Sequence, residues 1–415
     1  MIHMISLEIF SGTGGLAKGL EISGFQHAYF VEFNKDACAS LRKNFNSEIV
    51  FEGDIANFDL NTVGRVDIVA GGPPCQPFSM GGKHKAHQDN RDMFPYAVRS
   101  IEHPQPKAFF FENVKGLLRA SFSQYFNYII LRLTYPCCSI KQGERWEEHL
   151  KRLTEIDQNK YGGIKYDVQF KLLNAADYGV PQKRERVVII GIRSDLNAKW
   201  DFPTPTHSED KLNWDKYVTG GYWKKHDLPI QKNNRLANAL RNKYGFFPPE
   251  ENPWQTVRDA LTGVPHPNES HEIPDHIFRD GARIYPGHTG SEIDQPSKTL
   301  KAGGHGVPGG ENMIRYENGE VRYFTTYEAK LIQTFPKDFY VSGAWGETIR
   351  QIGNAVPVKL SEVIGKNLFM ILQEKQANFA LQPTNCRRAF LPVDNSAVNL
   401  PSVNSDIRSS TESAR

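Results

Sequence analysis

The sequence predicts an α/β fold, a parallel sheet covered by helices, with a smaller module inserted before the closing helices. Three observations carry this. Short apolar runs alternate with helix-like segments from residue 4 to residue 193, the pattern of strands joined by crossover helices. After Arg193 the alternation stops, and residues 194–320 hold many Pro, Gly, Trp and Tyr residues with little periodicity. Helical spacing of apolar residues returns in TTYEAKLIQTF and VPVKLSEVIGKNLFMILQ, the second of which is expected to return to the first domain. The expected divisions are 1–193, 194–320, 321–376, and a mobile tail over 377–415 rich in Asn, Ser, Pro and Arg.

The first strand candidate, Ile5–Phe10, runs into SGTGG, which places Gly12, Gly14 and Gly15 between a strand and the helix-like LAKGLEISGF. Such a turn lets backbone approach a ligand, although a tight turn without a ligand reads the same way. The second, His27–Val31, is followed by Glu32, where a carboxylate can accept from ribose hydroxyls. A third strand region ends in EGDI. There Asp54 suits an adenine amino group and Ile55 the ring face, with a helix cap as the alternative for Asp54. The turn lacks the full GxGxxG pattern, because Ala17 stands where the third glycine belongs. That disfavours a pyrophosphate and with it a nicotinamide dehydrogenase.

The next candidate, Val66–Ala70, leads into GGPPCQPFSMGG. Cys75 follows a Pro-Pro pair, as suits a fixed nucleophile rather than an inert buried thiol. The segment after it carries Lys83, Lys85 and Arg91, which could reach phosphates, and His84 and His87, which lack further ligands for a metal and are read as surface. Ala108–Phe111 ends at Glu112, which follows three phenylalanines; partial desolvation there should raise its proton affinity, and a structural salt bridge is the alternative. Arg184 and Arg186 enter the last strand, Arg186–Ile192, at alternate positions and should point to one side.

No stretch approaches the ~20 apolar residues that span a bilayer, and the start lacks the features of a secretory signal. A cytoplasmic protein is expected. Five cysteines without CxxC spacing imply neither a disulfide framework nor a zinc site. The net charge of +3 identifies no partner by itself.

FSGTGG, GGPPCQPFS, ENVKG, QKRERV and IGNAVP occur in this order across nearly the whole chain, and in this the sequence resembles the DNA cytosine-5 methyltransferases of prokaryotic restriction–modification systems. The resemblance implies S-adenosylmethionine as cofactor, held by Phe10, Gly12, Gly14, Gly15, Glu32, Phe33, Asp54, Ile55, Pro74, Phe94, Asn354 and Val356. It implies catalysis by Cys75, Glu112 and Arg184, with Gln76, Ser79, Asn113 and Arg186 beside them. It also implies a target-recognition domain between QKRERV and the closing helices. Cytosine C5 is a poor nucleophile, so a thiolate must first add at C6; Glu112 would share a proton with ring N3, and Arg184 would hold the base carbonyl. A stacked base is out of reach, so the target must be flipped from double-stranded DNA, with Gln76 and Ser79 filling the space left behind.

Within the expected recognition domain, Lys211 to Lys243 holds eight Lys or Arg against two Asp, a local charge of +6 suited to phosphates. Trp214, Tyr217, Tyr222 and Trp223 interleave with it as stacking groups or as the small domain's core. PSKTLKAGGHGVPGGEN, with Thr299, Leu300, Lys301 and His305, resembles the segment that enters the major groove in relatives, and a GGNCC-like target is the expectation from resemblance. Tyr327 stands where relatives carry Arg before Glu328. A tRNA cytosine-5 methyltransferase would usually carry a Cys-Phe-Thr tripeptide, which is absent here; a non-catalytic DNA-binding relative would lack the Cys, Glu or Arg. The remaining expectations are a monomer without metal and a separately encoded companion restriction endonuclease.

Overall fold

Seven strands make the central sheet: β1 (Met4–Ile9), β2 (Phe25–Glu32), β3 (Val50–Glu52), β4 (Ile68–Gly71), β5 (Ala108–Val114), β6 (Tyr166–Asn174) and β7 (Glu185–Arg193). The structure, a computed structural model, describes residues 3–74, 93–302 and 312–376; the tail expected from 377 onward lies outside them. The strand order is β3-β2-β1-β4-β5-β7-β6. One feature departs from the expected parallel sheet: β7 runs antiparallel to both neighbours, β5 and β6. Reversing β7 brings its first residues, not its last, to the mouth formed by the carboxyl ends of β1, β4 and β5. That is why QKRERV leads into the start of its strand, whereas FSGTGG, GGPPCQPFS and ENVKG stand at the ends of theirs.

The helices, in chain order, are α1 (Gly15–Ile22), α2 (Lys35–Asn44), α3 (Phe94–Glu102), α4 (Ser123–Thr134), α5 (Trp146–Thr154), α6 (Glu209–Tyr217), α7 (Gly221–Lys225), α8 (Asn234–Tyr244), α9 (Val257–Ala260), α10 (Thr326–Ile332), α11 (Trp345–Asn354) and α12 (Val358–Gln376). Short strands β8 (His207–Ser208) and β9 (Asn252–Pro253) pair with each other, and β10 (Ser291–Glu292), β11 (Met313–Arg315) and β12 (Val321–Tyr323) form a small third sheet.

Both faces of the main sheet are covered, so its central strands read as continuous apolar runs. In β5, Phe109 and Phe111 belong to one core with the residues of α3 and α4, while Phe110 belongs to the other with α1 and α12. The α1–α12 contact depends on small residues. A Cβ on Gly19 would strike Ser361 and the Val358 carbonyl, and one on Gly365 would lie 2.6 Å from Ser23 Oγ.

Candidate active site

Strand order turns at the β1–β4 pair, where one half of the sheet is built outward to β3 and the other to β6. Ligands of open α/β sheets bind outside the carboxyl ends at such a switch point. Ile9 pairs with Gly71, so the glycine turn after β1 and the Pro-Pro turn after β4 emerge side by side. The predicted residues fall along this edge in strand order. Asp54, Glu32 and Gly12 lie on the β3-β2-β1 side; Pro73, Glu112 and Arg186 lie on the β4-β5-β7 side.

On the first side, Gly12 has φ 54° and nothing within 4 Å of where a Cβ would stand, so its backbone faces open space. Gly14 and Gly15 serve packing instead. A Cβ on Gly14 would lie 2.8 Å from the Phe45 ring, and one on Gly15 would strike the Val356 carbonyl. Glu32 Oε2 accepts from Gly12 N at 2.7 Å and Oε1 from Asn34 N at 2.8 Å; each oxygen keeps a lone pair for a ribose hydroxyl. Asp54 Oδ1 caps a short helix through Ala56 N at 2.8 Å, the alternative foreseen for it, and Oδ2 is left for a ligand. Phe33 is 75% exposed and suits stacking. Phe10 takes φ 51°, unusual for a side chain of its size. Asn354 is exposed, Val356 and Ile55 are buried, and Phe94 is buried in the core beside Phe58. These groups fit a nucleoside ligand without phosphate.

On the second side, Glu112 is buried and its Oε1 lies 2.6 Å from Arg186 Nε. The salt bridge foreseen as the alternative is therefore present. Among the described residues Oε1 has no hydrogen-bond partner beyond this ion pair. Asn113 Nδ2 donates to Pro73 O at 2.9 Å, pinning the turn two residues ahead of Cys75. Pro74 is described; Cys75, Gln76, Ser79, Lys83, His84, Lys85, His87 and Arg91 lie outside the described residues.

Arg184 corrects the sequence reading. Its side chain is fully buried, and its guanidinium donates to three main-chain carbonyls: Gly353 and Ala355, each at 2.9 Å, and Leu300 at 3.3 Å. Burial, then the neighbouring Arg186, pushes its pKa well down. The guanidinium that pairs with Glu112 is that of Arg186. Arg184 instead ties β7 to the α11–α12 turn and to the segment around Leu300. Gln182, which sequence reasoning missed, is buried beside it, its Oε1 accepting from Leu300 N at 3.1 Å. Such partners, more than a hundred residues away in sequence, leave no local signal.

Further out, Thr299 Oγ1 donates to Lys183 O at 2.8 Å, Leu300 is buried and Lys301 is exposed; His305 lies outside the described residues. Of the eight cations between 211 and 243, four have internal roles. Lys211, Lys225 and Lys243 pair with Asp215, Asp259 and Asp210, and the buried Lys216 donates to Asp294 O. Lys224, Lys232, Arg235 and Arg241 make no ion pair among the described residues. Tyr222 and Trp223 are core, packed with Leu212 and Trp254; Tyr217 packs against them from a half-buried position, and Trp214 is buried nearby. Tyr327 is buried, and Glu328 beside it takes both its oxygens to Arg322 at 2.7 and 2.6 Å, so β12 supplies the guanidinium. Among the described residues no cluster of three metal-ligating side chains occurs, and no helix is long and apolar enough to cross a membrane.

A crevice with one half suited to a nucleoside and the other to a reacting base belongs to the Rossmann-like methyltransferases that use S-adenosylmethionine. Comparison with known proteins narrows that class. The C-5 cytosine-specific DNA methylase family matches residues 4–135 and 142–370, and the chain belongs to this family. It is 33% identical to the Type II methyltransferase M.PspPI of Psychrobacter sp. (strain TA137) over 88% of this chain and 79% of that protein. It is 32% identical to the Type II methyltransferase M.NgoFVII of Neisseria gonorrhoeae, over 89% and 87%. Among solved structures, the Dnmt2 methyltransferase of S. pombe shares the fold, with a TM-score of 0.53 at 15% identity, covering 90% of this chain and 99% of that one.

Proposed function

We propose that this chain methylates C5 of one flipped cytosine within a short duplex DNA sequence, as the modification half of a Type II restriction–modification pair. The relatives' names support the second part of that reading, and a monomer acting in the cytoplasm beside a separately encoded endonuclease accords with it. The observation that carries the chemistry is the buried Glu112–Arg186 pair, next to a turn that Asn113 pins just before Cys75.

In this reading Cys75 Sγ bonds to C6 of the base as the 5,6 double bond opens. Glu112, held through Oε1 by Arg186, shares a proton with ring N3 and so stabilises the charge that develops. Arg186 orients Glu112 and faces the base carbonyl. S-adenosylmethionine, held by Gly12, Glu32, Phe33 and Asp54, supplies an electrophilic methyl group when bound. The C5 electron pair released by that addition would take the methyl group, with the thioether S-adenosylhomocysteine as leaving group, and loss of the C5 proton and departure of Cys75 then restore the aromatic ring. Residues 194–320 serve as the recognition domain, with a GGNCC-like sequence as the target suggested by resemblance.

Transfer of tritiated methyl groups to unmethylated duplex DNA and to tRNA tests the substrate, and bisulfite sequencing identifies the site. Label in tRNA alone would overturn the DNA reading. Cys75→Ser should bind DNA and cofactor as wild type does while losing turnover, and substantial methylation by that variant would sink the nucleophile assignment.

A further inference from the structure

Phe246 and Phe247, immediately after α8, are 99% and 80% exposed. Adjacent rings left in water at this level are costly relative to burial, and call for a partner. The surrounding charge indicates its chemistry. From Leu228 to Pro249 there is no acidic residue, and Lys232, Arg235 and Arg241 are all exposed and make no ion pair among the described residues. Ala237 and Leu240 form the buried side of α8, which leaves Arg235, Asn238 and Asn242, at helical spacing, on the outer side. A surface of free cations and amides that ends in two bare rings is complementary to phosphates and bases together.

Its position fits that partner. Lys183, next to Arg184, pairs with Glu209 at 2.9 Å at the start of α6; the neighbouring Asp210 holds Lys243 Nζ at 2.6 Å and Tyr244 OH at 2.7 Å at the end of α8. Gly245, with φ 68°, then turns the chain, and Pro248 and Pro249 stiffen its return. The rings are therefore linked through two ion pairs to the segment that carries the candidate base pocket. We infer that Phe246 and Phe247 form an aromatic prong that wedges between base steps of the duplex beside the target and stacks on the faces it uncovers, with the exposed cations of α8 and the loop before it on the flanking phosphates. This rests on the reading of residues 194–320 as the recognition domain.

The test uses the full chain and a duplex carrying the site that bisulfite sequencing defines. For Phe246→Ala/Phe247→Ala, the Kd for that duplex should rise about tenfold or more, the loss expected when base stacking is removed. Its dependence on salt should not change, because no cation is lost. Affinity for S-adenosylmethionine and Tm should stay as in wild type, since both rings are exposed. Phe246→Tyr/Phe247→Tyr should restore binding, and Arg235→Ala/Arg241→Ala should flatten the salt dependence. Wild-type DNA affinity in the double alanine variant would overturn the inference, as would a change confined to self-association in size-exclusion chromatography. A wild-type enzyme that binds no duplex would overturn the recognition-domain reading and the prong with it.

Discussion

Arg184→Met separates two roles that the sequence leaves entangled. Methionine keeps most of the buried volume and removes the guanidinium. Two bonds of 2.9 Å and one of 3.3 Å are lost. Gly353 O then has no donor, because the residue four positions ahead is Pro357, which carries no N–H. Ala355 O keeps Gln333 Nε2 at 3.2 Å. Charged hydrogen bonds are worth about 1.5–3 kcal/mol each, and the variant regains the cost of burying a charge. A net destabilisation of about 3 kcal/mol follows. Chemical denaturation reads it directly, and turnover measured on the folded protein should fall less than tenfold, the effect appearing mainly in KM for DNA as the segment around Leu300 loosens. Arg186→Met should do the opposite to catalysis: removing a preorganised charge at the pocket costs about 10²–10³ in kcat. An unfolding curve for Arg184→Met that overlays wild type, together with a collapse of kcat, would refute this division of labour and return Arg184 to the base.

Two further predictions concern the glycine turn and pH. Gly15→Ala should abolish soluble expression or cofactor binding, since its Cβ meets a main-chain carbonyl, whereas Gly12→Ala, with open space around it but φ 54°, should fold at a cost of about 1 kcal/mol and weaken S-adenosylmethionine binding in calorimetry. His149 is fully buried, with Tyr128 OH at 3.0 Å on Nδ1 and Cys138 O at 2.9 Å on Nε2. Burial, helped by Arg132 and Arg152, pushes its pKa from 6.5 down to about 4. The unfolded chain therefore takes up this proton first, and stability present above pH 6.5 should be lost as pH falls towards 4, by on the order of 2–3 kcal/mol. A His149→Gln variant whose Tm falls as steeply as wild type over that range would rule this histidine out as the cause.

Much of the site was legible because its residues sit next to strand ends, and strand ends announce themselves. Gly12, Glu32 and Glu112 each follow an apolar run, so sequence alone could place them at one edge of a sheet. What it could not supply was the direction of β7, because a strand reads the same both ways and only its partners decide. It also missed β6, whose residues YDVQFKLLN alternate polar with apolar at the open edge, leaving Phe170 46% exposed. Charge was the least legible property. The +6 of residues 211–243 counts Lys225 and Lys243, yet Asp259 and Asp210 answer them from 34 and 33 residues away, and the cationic surface shrinks to α8 and its approach. Tyr327 leaves Glu328 no adjacent arginine, and the carboxylate is held by Arg322 from β12. A buried carboxylate requires a cation but does not dictate where in the chain it originates. Motif spacing therefore places both arginines at the start of β7, whereas only their partners, Glu112 for Arg186 and main-chain carbonyls for Arg184, separate the roles proposed for them.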